Sequence, residues 1–69
     1  MEIIVNQKLH DVEGRLWRVE DLKHAVGIKP WLQLSEVKPF GLAQLEDEDV
    51  IELDLNSRFV SHARSGAQS

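Results

Sequence analysis

One stretch of helical periodicity interrupts a chain otherwise patterned for strands, and it constrains the fold more than any other feature. Val19, Leu22, Ala25 and Val26 recur at i, i+3, i+6 and i+7, with Glu20, Asp21, Lys23 and His24 on the other face. The spacing predicts one amphipathic helix beginning near Leu16. Acids lie in its first turn and Lys23 and His24 near its end, which suits the helix dipole. Gly27 stands where a left-handed cap is wanted, and Lys29-Pro30 forces a stop. A helix of about two to three turns is too short to hold alone, so its apolar stripe must dock on a sheet.

The flanking segments supply that sheet. Residues 1–6 alternate Met1, Ile3 and Val5 against Glu2, Ile4 and Asn6, the period of a half-buried strand. Asn6-Gln7 makes a tight turn, and residues 8–12 return antiparallel before Glu13-Gly14 breaks the pattern. After Pro30, residues 31–37 alternate Leu32 and Leu34 against Trp31 and Gln33, and Lys38-Pro39-Phe40-Gly41 closes this third strand. Residues 42–49 read as a polar connection anchored by Leu45. A short strand at 50–53, a turn at Asn56-Ser57 and a last strand at 58–63 follow. The expected order is β-β-α-β-β-β, an α+β domain over residues 1–63 with one helix packed across a mixed sheet, which is the β-grasp signature. Residues 64–69 are small and polar, with nothing to bury, and are expected to form a mobile tail.

A chain of 69 residues has room for one core, and with no cysteine it has no disulfide, thiolate metal site or catalytic thiol to lean on. Hydrophobic residues make up 42% of it and include two tryptophans and two phenylalanines, enough for a packed domain. Eight basic residues against twelve acidic ones give a net charge of −4, with Glu46, Asp47, Glu48 and Asp49 in one run. That balance argues against nucleic acid, which is bound through clustered basic side chains. No apolar run approaches the roughly 20 residues that cross a bilayer, and no basic-then-apolar leader opens the chain, so it reads as cytoplasmic with no membrane partner.

In order and spacing, several segments resemble the ubiquitin-like superfamily, and in particular the bacterial multi-ubiquitin-type domains found beside activating and conjugating enzymes. The resemblance rests on Ile3-Ile4-Val5-Asn6, on Val19-Glu20-Asp21-Leu22-Lys23 running to Ala25-Val26-Gly27-Ile28, and on Trp31-Leu32-Gln33-Leu34. It continues through Leu45-Glu46-Asp47-Glu48-Asp49-Val50-Ile51-Glu52-Leu53 and Arg58-Phe59-Val60. It implies a bacterial protein modifier whose partners are a processing peptidase, activating and conjugating enzymes, and target proteins. The family ends in a Gly-Gly pair, whereas here the single Gly66 is followed by Ala67-Gln68-Ser69. Trimming of those three residues would make Gly66 the conjugation terminus, with His62, Arg64 and Ser65 as tail contacts to the activating enzyme. Glycine suits that place because an acyl terminus must thread a narrow channel where a Cβ would clash.

If Ile3, Val5, Leu32, Leu34 and Phe59 face the helix, alternation puts Ile4, Gln33, Arg58 and Val60 on the opposite face. Ile4, Trp31 and Val60 rimmed by Arg58 would form a protein-binding surface, although Ile4 also reads as an ordinary exposed aliphatic in a good strand. Trp17, between Arg15 and Arg18, reads as a core plug before a partner anchor. His10, His24 and His62 have no metal-site spacing and are expected to face solvent, and the run 46–49 reads as a solvated turn rather than a calcium loop. Ser35, Ser57, Ser61, Ser65 and Ser69 show no histidine or aspartate constellation, no phosphate-binding glycine loop is present, and no enzyme or cofactor is expected. A non-covalent adaptor that never uses its tail is the alternative function. A weaker one takes residues 17–28 as half of a helix-turn-helix.

Overall fold

A computed structural model describes residues 1–63. They form β1 (Glu2–Val5), β2 (Lys8–Asp11), β3 (Leu16–Arg18), α1 (Val19–Ala25), β4 (Gln33–Lys38), β5 (Gly41–Leu45), β6 (Val50–Glu52) and β7 (Arg58–His62). Five strands make a mixed sheet in the order β2-β1-β7-β4-β5, and β3 and β6 make a separate two-stranded sheet. The central pair, β1 and β7, is parallel, and every other pairing is antiparallel. The architecture is α+β, with one helix against one face of a mixed sheet.

Alternation along β1 sends Ile3 and Val5 into the core, where they meet Phe59 of β7 and Leu34 of β4. The helix contributes Val19 and Leu22, its C-cap Val26 packs beside them, and the loops add Val12 and Leu53. Trp17 is half-buried and packs against this core, with its Nε1 donating to the Gly14 carbonyl at 3.1 Å. No helix among the described residues is long and apolar enough to cross a membrane.

The β1–β2 turn holds Asn6 at φ 51° and Gln7 at φ 69°, both in the left-handed region that two-residue hairpins of this hand demand. Asn6 tolerates it and also reaches across to β7, its Nδ2 donating to Ser61 Oγ at 2.8 Å and its Oδ1 accepting from the Ser61 amide at 2.9 Å. Gln7 has no such compensation among the described residues. Gln7→Gly is expected to raise stability by about 0.5–1 kcal/mol, read as a higher urea midpoint at unchanged slope.

The helix begins three residues later than its sequence pattern suggests. Leu16 and Arg18 are exposed while Trp17 turns inward, and this alternation pairs Leu16, Trp17 and Arg18 with Glu52, Ile51 and Val50. Arg18, the N-cap, is extended and makes no side-chain cap. Backbone carbonyls of the acidic run take over, accepting from the Val19 amide (Asp49, 2.9 Å) and the Glu20 amide (Asp47, 3.1 Å). At the other end Gly27, at φ 79°, donates to His24 O while Ile28 donates to Lys23 O at 2.8 Å, a Schellman closure.

Other expectations are corrected. Residues 42–49 are not one polar connection, because Gly41–Leu45 pairs along β4 as β5. The strand near 50–53 lies in the small sheet with β3, so the order becomes β-β-β-α-β-β-β-β. Ala25 is exposed and Lys23 is buried, the reverse of their assigned faces. Trp31 and Leu32 precede β4 in a turn closed by Leu32 N donating to Lys29 O at 3.1 Å, so neither joins the strand. The segment after α1 becomes β4, which leaves the helix-turn-helix reading without a second helix among the described residues.

Candidate functional site on the outer sheet face

The sheet register aligns side chains on the face turned away from α1. Leu9 sits opposite Ile4, Ile4 opposite Arg58, and Val37 opposite Leu42. Because Glu36 pairs with Phe59 and Ser35 with Val60, one further step places Val37 beside Arg58. Leu9, Ile4, Arg58, Val37 and Leu42 therefore form one row across all five strands. Val60 lies in the adjoining row, opposite Ser35. A shallow depression of about 150 Å³ is lined by Ile4, Gln7, Val37, Arg58, Phe59 and Val60.

Ile4, Val37 and Val60 are half-buried, while Leu9 and Leu42 are 62% and 57% exposed at the two ends of the row. Arg58 is exposed, and among the described residues no carboxylate pairs with it. An apolar row with a free guanidinium at its centre can bury aliphatic or aromatic side chains and hold a carboxylate in bidentate geometry. Of the surface residues expected from sequence, Ile4, Arg58 and Val60 come together here. Trp31 does not: it lies beyond the far end of β4, 66% exposed, with Lys29 Nζ 5.9 Å from its ring centroid.

The polar end of the same face carries an arrangement that sequence spacing could not show. Ser35 Oγ lies 3.0 Å from His62 Nε2, and His62 Nδ1 lies 3.0 Å from the Ala63 carbonyl. A carbonyl only accepts, so the proton is assigned to Nδ1, and Nε2 accepts from the Ser35 hydroxyl. The spacing is that of a nucleophile and its base. Ser35, however, is fully buried, so no substrate reaches its oxygen and the pair fixes the imidazole on the sheet. His62 thus belongs to β7 and is half-buried rather than part of a free arm facing solvent. Gln33 beside it is also buried, its Nε2 donating to the Leu45 and Leu34 carbonyls at 2.6 and 3.2 Å.

A second concavity, of about 250 Å³, lies between α1 and the acidic run. Lys23 is 2% exposed there, its Nζ donating to Pro30 O and to Asp47 Oδ1, both at 2.9 Å. The ammonium is committed to two acceptors, so it ties the helix to the loops on either side of it. The run 46–49 is more than a solvated turn: it holds Lys23, caps α1, and closes on itself through the Glu46 amide donating to Asp49 Oδ2 at 3.0 Å. The other sequence-derived tail residues, Arg64, Ser65 and the conjugation terminus Gly66, lie outside the described residues.

These features define a small α+β domain with one built, partly apolar sheet face. In comparisons with known proteins the chain matches no family model, no curated protein and no solved structure.

Proposed function

We propose that the chain is a ubiquitin-like β-grasp domain that works by binding another protein through the outer face of its sheet. The row Leu9, Ile4, Arg58, Val37 and Leu42, drawn from five different strands, carries this reading. Setting aside the short strands β3 and β6 leaves the β-β-α-β-β-β order of the β-grasp, with the helix on the face opposite the row. The partner would offer an apolar side chain flanked by a carboxylate, would meet the domain in the cytoplasm, and would supply any chemistry itself.

Arg58→Glu tests the reading. The residue is exposed and unpaired among the described residues, so the domain should keep its stability to within about 0.5 kcal/mol. Affinity for a partner isolated with the wild-type domain should fall about tenfold or more, measured by calorimetry on the purified pair. Leu16→Asp, on the small sheet, should leave it unchanged. Full affinity in the Arg58 variant would remove the sheet face from the interaction.

The modifier reading is the covalent form of the same proposal, favoured by one observation: the last strand in the chain, β7, is the middle strand of the sheet and ends at His62. A peptidase would trim residues 67–69, an activating enzyme would adenylate Gly66, and a conjugating enzyme would pass it to a target. Intact mass after co-expression with those enzymes should then show loss of Ala67-Gln68-Ser69 and Gly66-linked adducts. An unchanged mass beside active enzymes would leave the non-covalent adaptor.

A further inference from the structure

The two edges of the main sheet are built differently. At one edge β2 carries Lys8 and Asp11, charges of the kind that discourage strand-on-strand pairing. At the other, β5 reads Gly-Leu-Ala-Gln-Leu, with no charge and no proline, and among the described residues nothing pairs with its outer side.

The direction of its peptide groups follows from the central ladder. Asn6 N donates to Phe59 O and Ile4 N to Ser57 O, so the odd residues of β7 turn toward β1 and the even ones toward β4. Through the registers of β7 with β4 and β4 with β5, Ser35 and Val37 then turn toward β7, while Gly41, Ala43 and Leu45 turn toward β4. The N–H and C=O groups of Leu42 and Gln44 are left pointing outward, two residues apart, which is the repeat an antiparallel strand requires.

We infer that β5 pairs antiparallel with β5 of a second copy of this chain, about a two-fold axis at Ala43. In that register Leu42 faces the second copy's Gln44 and the reverse, giving four backbone hydrogen bonds. The two Ala43 residues form the close non-hydrogen-bonded pair on the axis, where a small side chain suits the short approach. Despite a net charge of −4, the pairing strands bring no like charges together, because residues 39–45 are uncharged. The same register sets the hairpin tip with Lys38 of one copy beside the acidic run of the other. The result is a ten-stranded sheet with both helices on one face. On the other face the two apolar rows join through the exposed Leu42 side chains. The inference rests on the edge itself, not on the function proposed above.

The test is sedimentation equilibrium of the full chain between about 10 µM and 1 mM, the range suited to a small interface. The mass should double across that range, and the Leu42 and Gln44 amides should gain protection from hydrogen exchange as it does. Gln44→Pro removes an outward donor without touching the β4 ladder and should weaken dimerisation at least tenfold, as should Gln44→Lys if the proline variant fails to fold. A monomer mass throughout would overturn the inference, whether or not β5 takes up a strand from some other protein. So would a dimer of undiminished affinity in a folded Gln44 variant. Arg58→Glu should leave the dimer intact, which separates failure here from failure of the sheet-face reading.

Discussion

Phe59→Ala is expected to leave much of the chain unfolded at room temperature. Phe59 is 2% exposed at the centre of the middle strand, opposite Val5 on one side and Glu36 on the other. Truncating a buried phenylalanine removes its transfer free energy and leaves a cavity, together about 3–5 kcal/mol. At roughly 0.05–0.15 kcal/mol per residue, a domain of this size has about 3–10 kcal/mol in total. Urea unfolding followed by far-ultraviolet circular dichroism should show a midpoint near zero denaturant or no folded baseline. Phe59→Leu, which keeps most of the volume, should lose only about 1–2 kcal/mol. A wild-type midpoint in the alanine variant would mean that β7 is not the centre of the core.

The second large effect is expected at Lys23. Replacing it with methionine keeps the aliphatic stem packed but strips Pro30 O and Asp47 of their shared donor. Breaking a fully buried ion pair costs about 3–5 kcal/mol, and Asp47 is 36% exposed and can recover water, so about 1–3 kcal/mol is expected. Asp47→Asn should cost less, because the asparagine oxygen still accepts. The double variant should fall short of the sum, with a coupling of about 1 kcal/mol or more. Additive losses would place the ammonium and the carboxylate apart in solution. The charge pair between Arg15 and Glu52, at 3.9 Å and more than 60% exposed on both sides, gives a contrasting control whose removal should move stability by under about 1 kcal/mol.

Lys23 also shows where sequence reasoning stops. Its spacing from Val19 is i+4, so it shares the buried stripe, but a binary pattern counts any lysine as polar and cannot anticipate an acceptor 24 residues away. The hairpin turn and the helix cap were legible because Asn6 and Gly27 sit at the left-handed positions local geometry needs. The strand β3 was not, since a three-residue segment carries little periodicity, and although a strand at 50–53 was readable as β6, its pairing with β3 in a separate small sheet was not. Gly41–Leu45 has weak strand propensity and is held by its partner β4.

The same division runs through the sheet face. Ile4, Arg58 and Val60 share a face by alternation alone, which is readable from each strand separately. Leu9, Val37 and Leu42 join them only once strand order and register are known. Trp31 was placed with them by starting the strand immediately after Pro30, where a turn at 29–32 delays it to Gln33. The Ser35–His62 contact links residues 27 apart and depends on the β4–β7 register.

The parallel pairing of β1 with β7 sets a timetable for synthesis. A ribosome delivers both hairpins, β1–β2 and β4–β5, before the strand that lies between them, so the sheet has two flanks and no middle until Arg58–His62 emerges. During that interval the inner edges of β1 and β4 are both open, and the apolar faces of Ile3, Val5 and Leu34 lack the aromatic ring that later covers them. Closing the domain is one late, long-range event, of the sort that slows folding and exposes nascent chains to wrong partners. A stall or a premature stop before Arg58 therefore yields two unjoined hairpins rather than a smaller version of the fold.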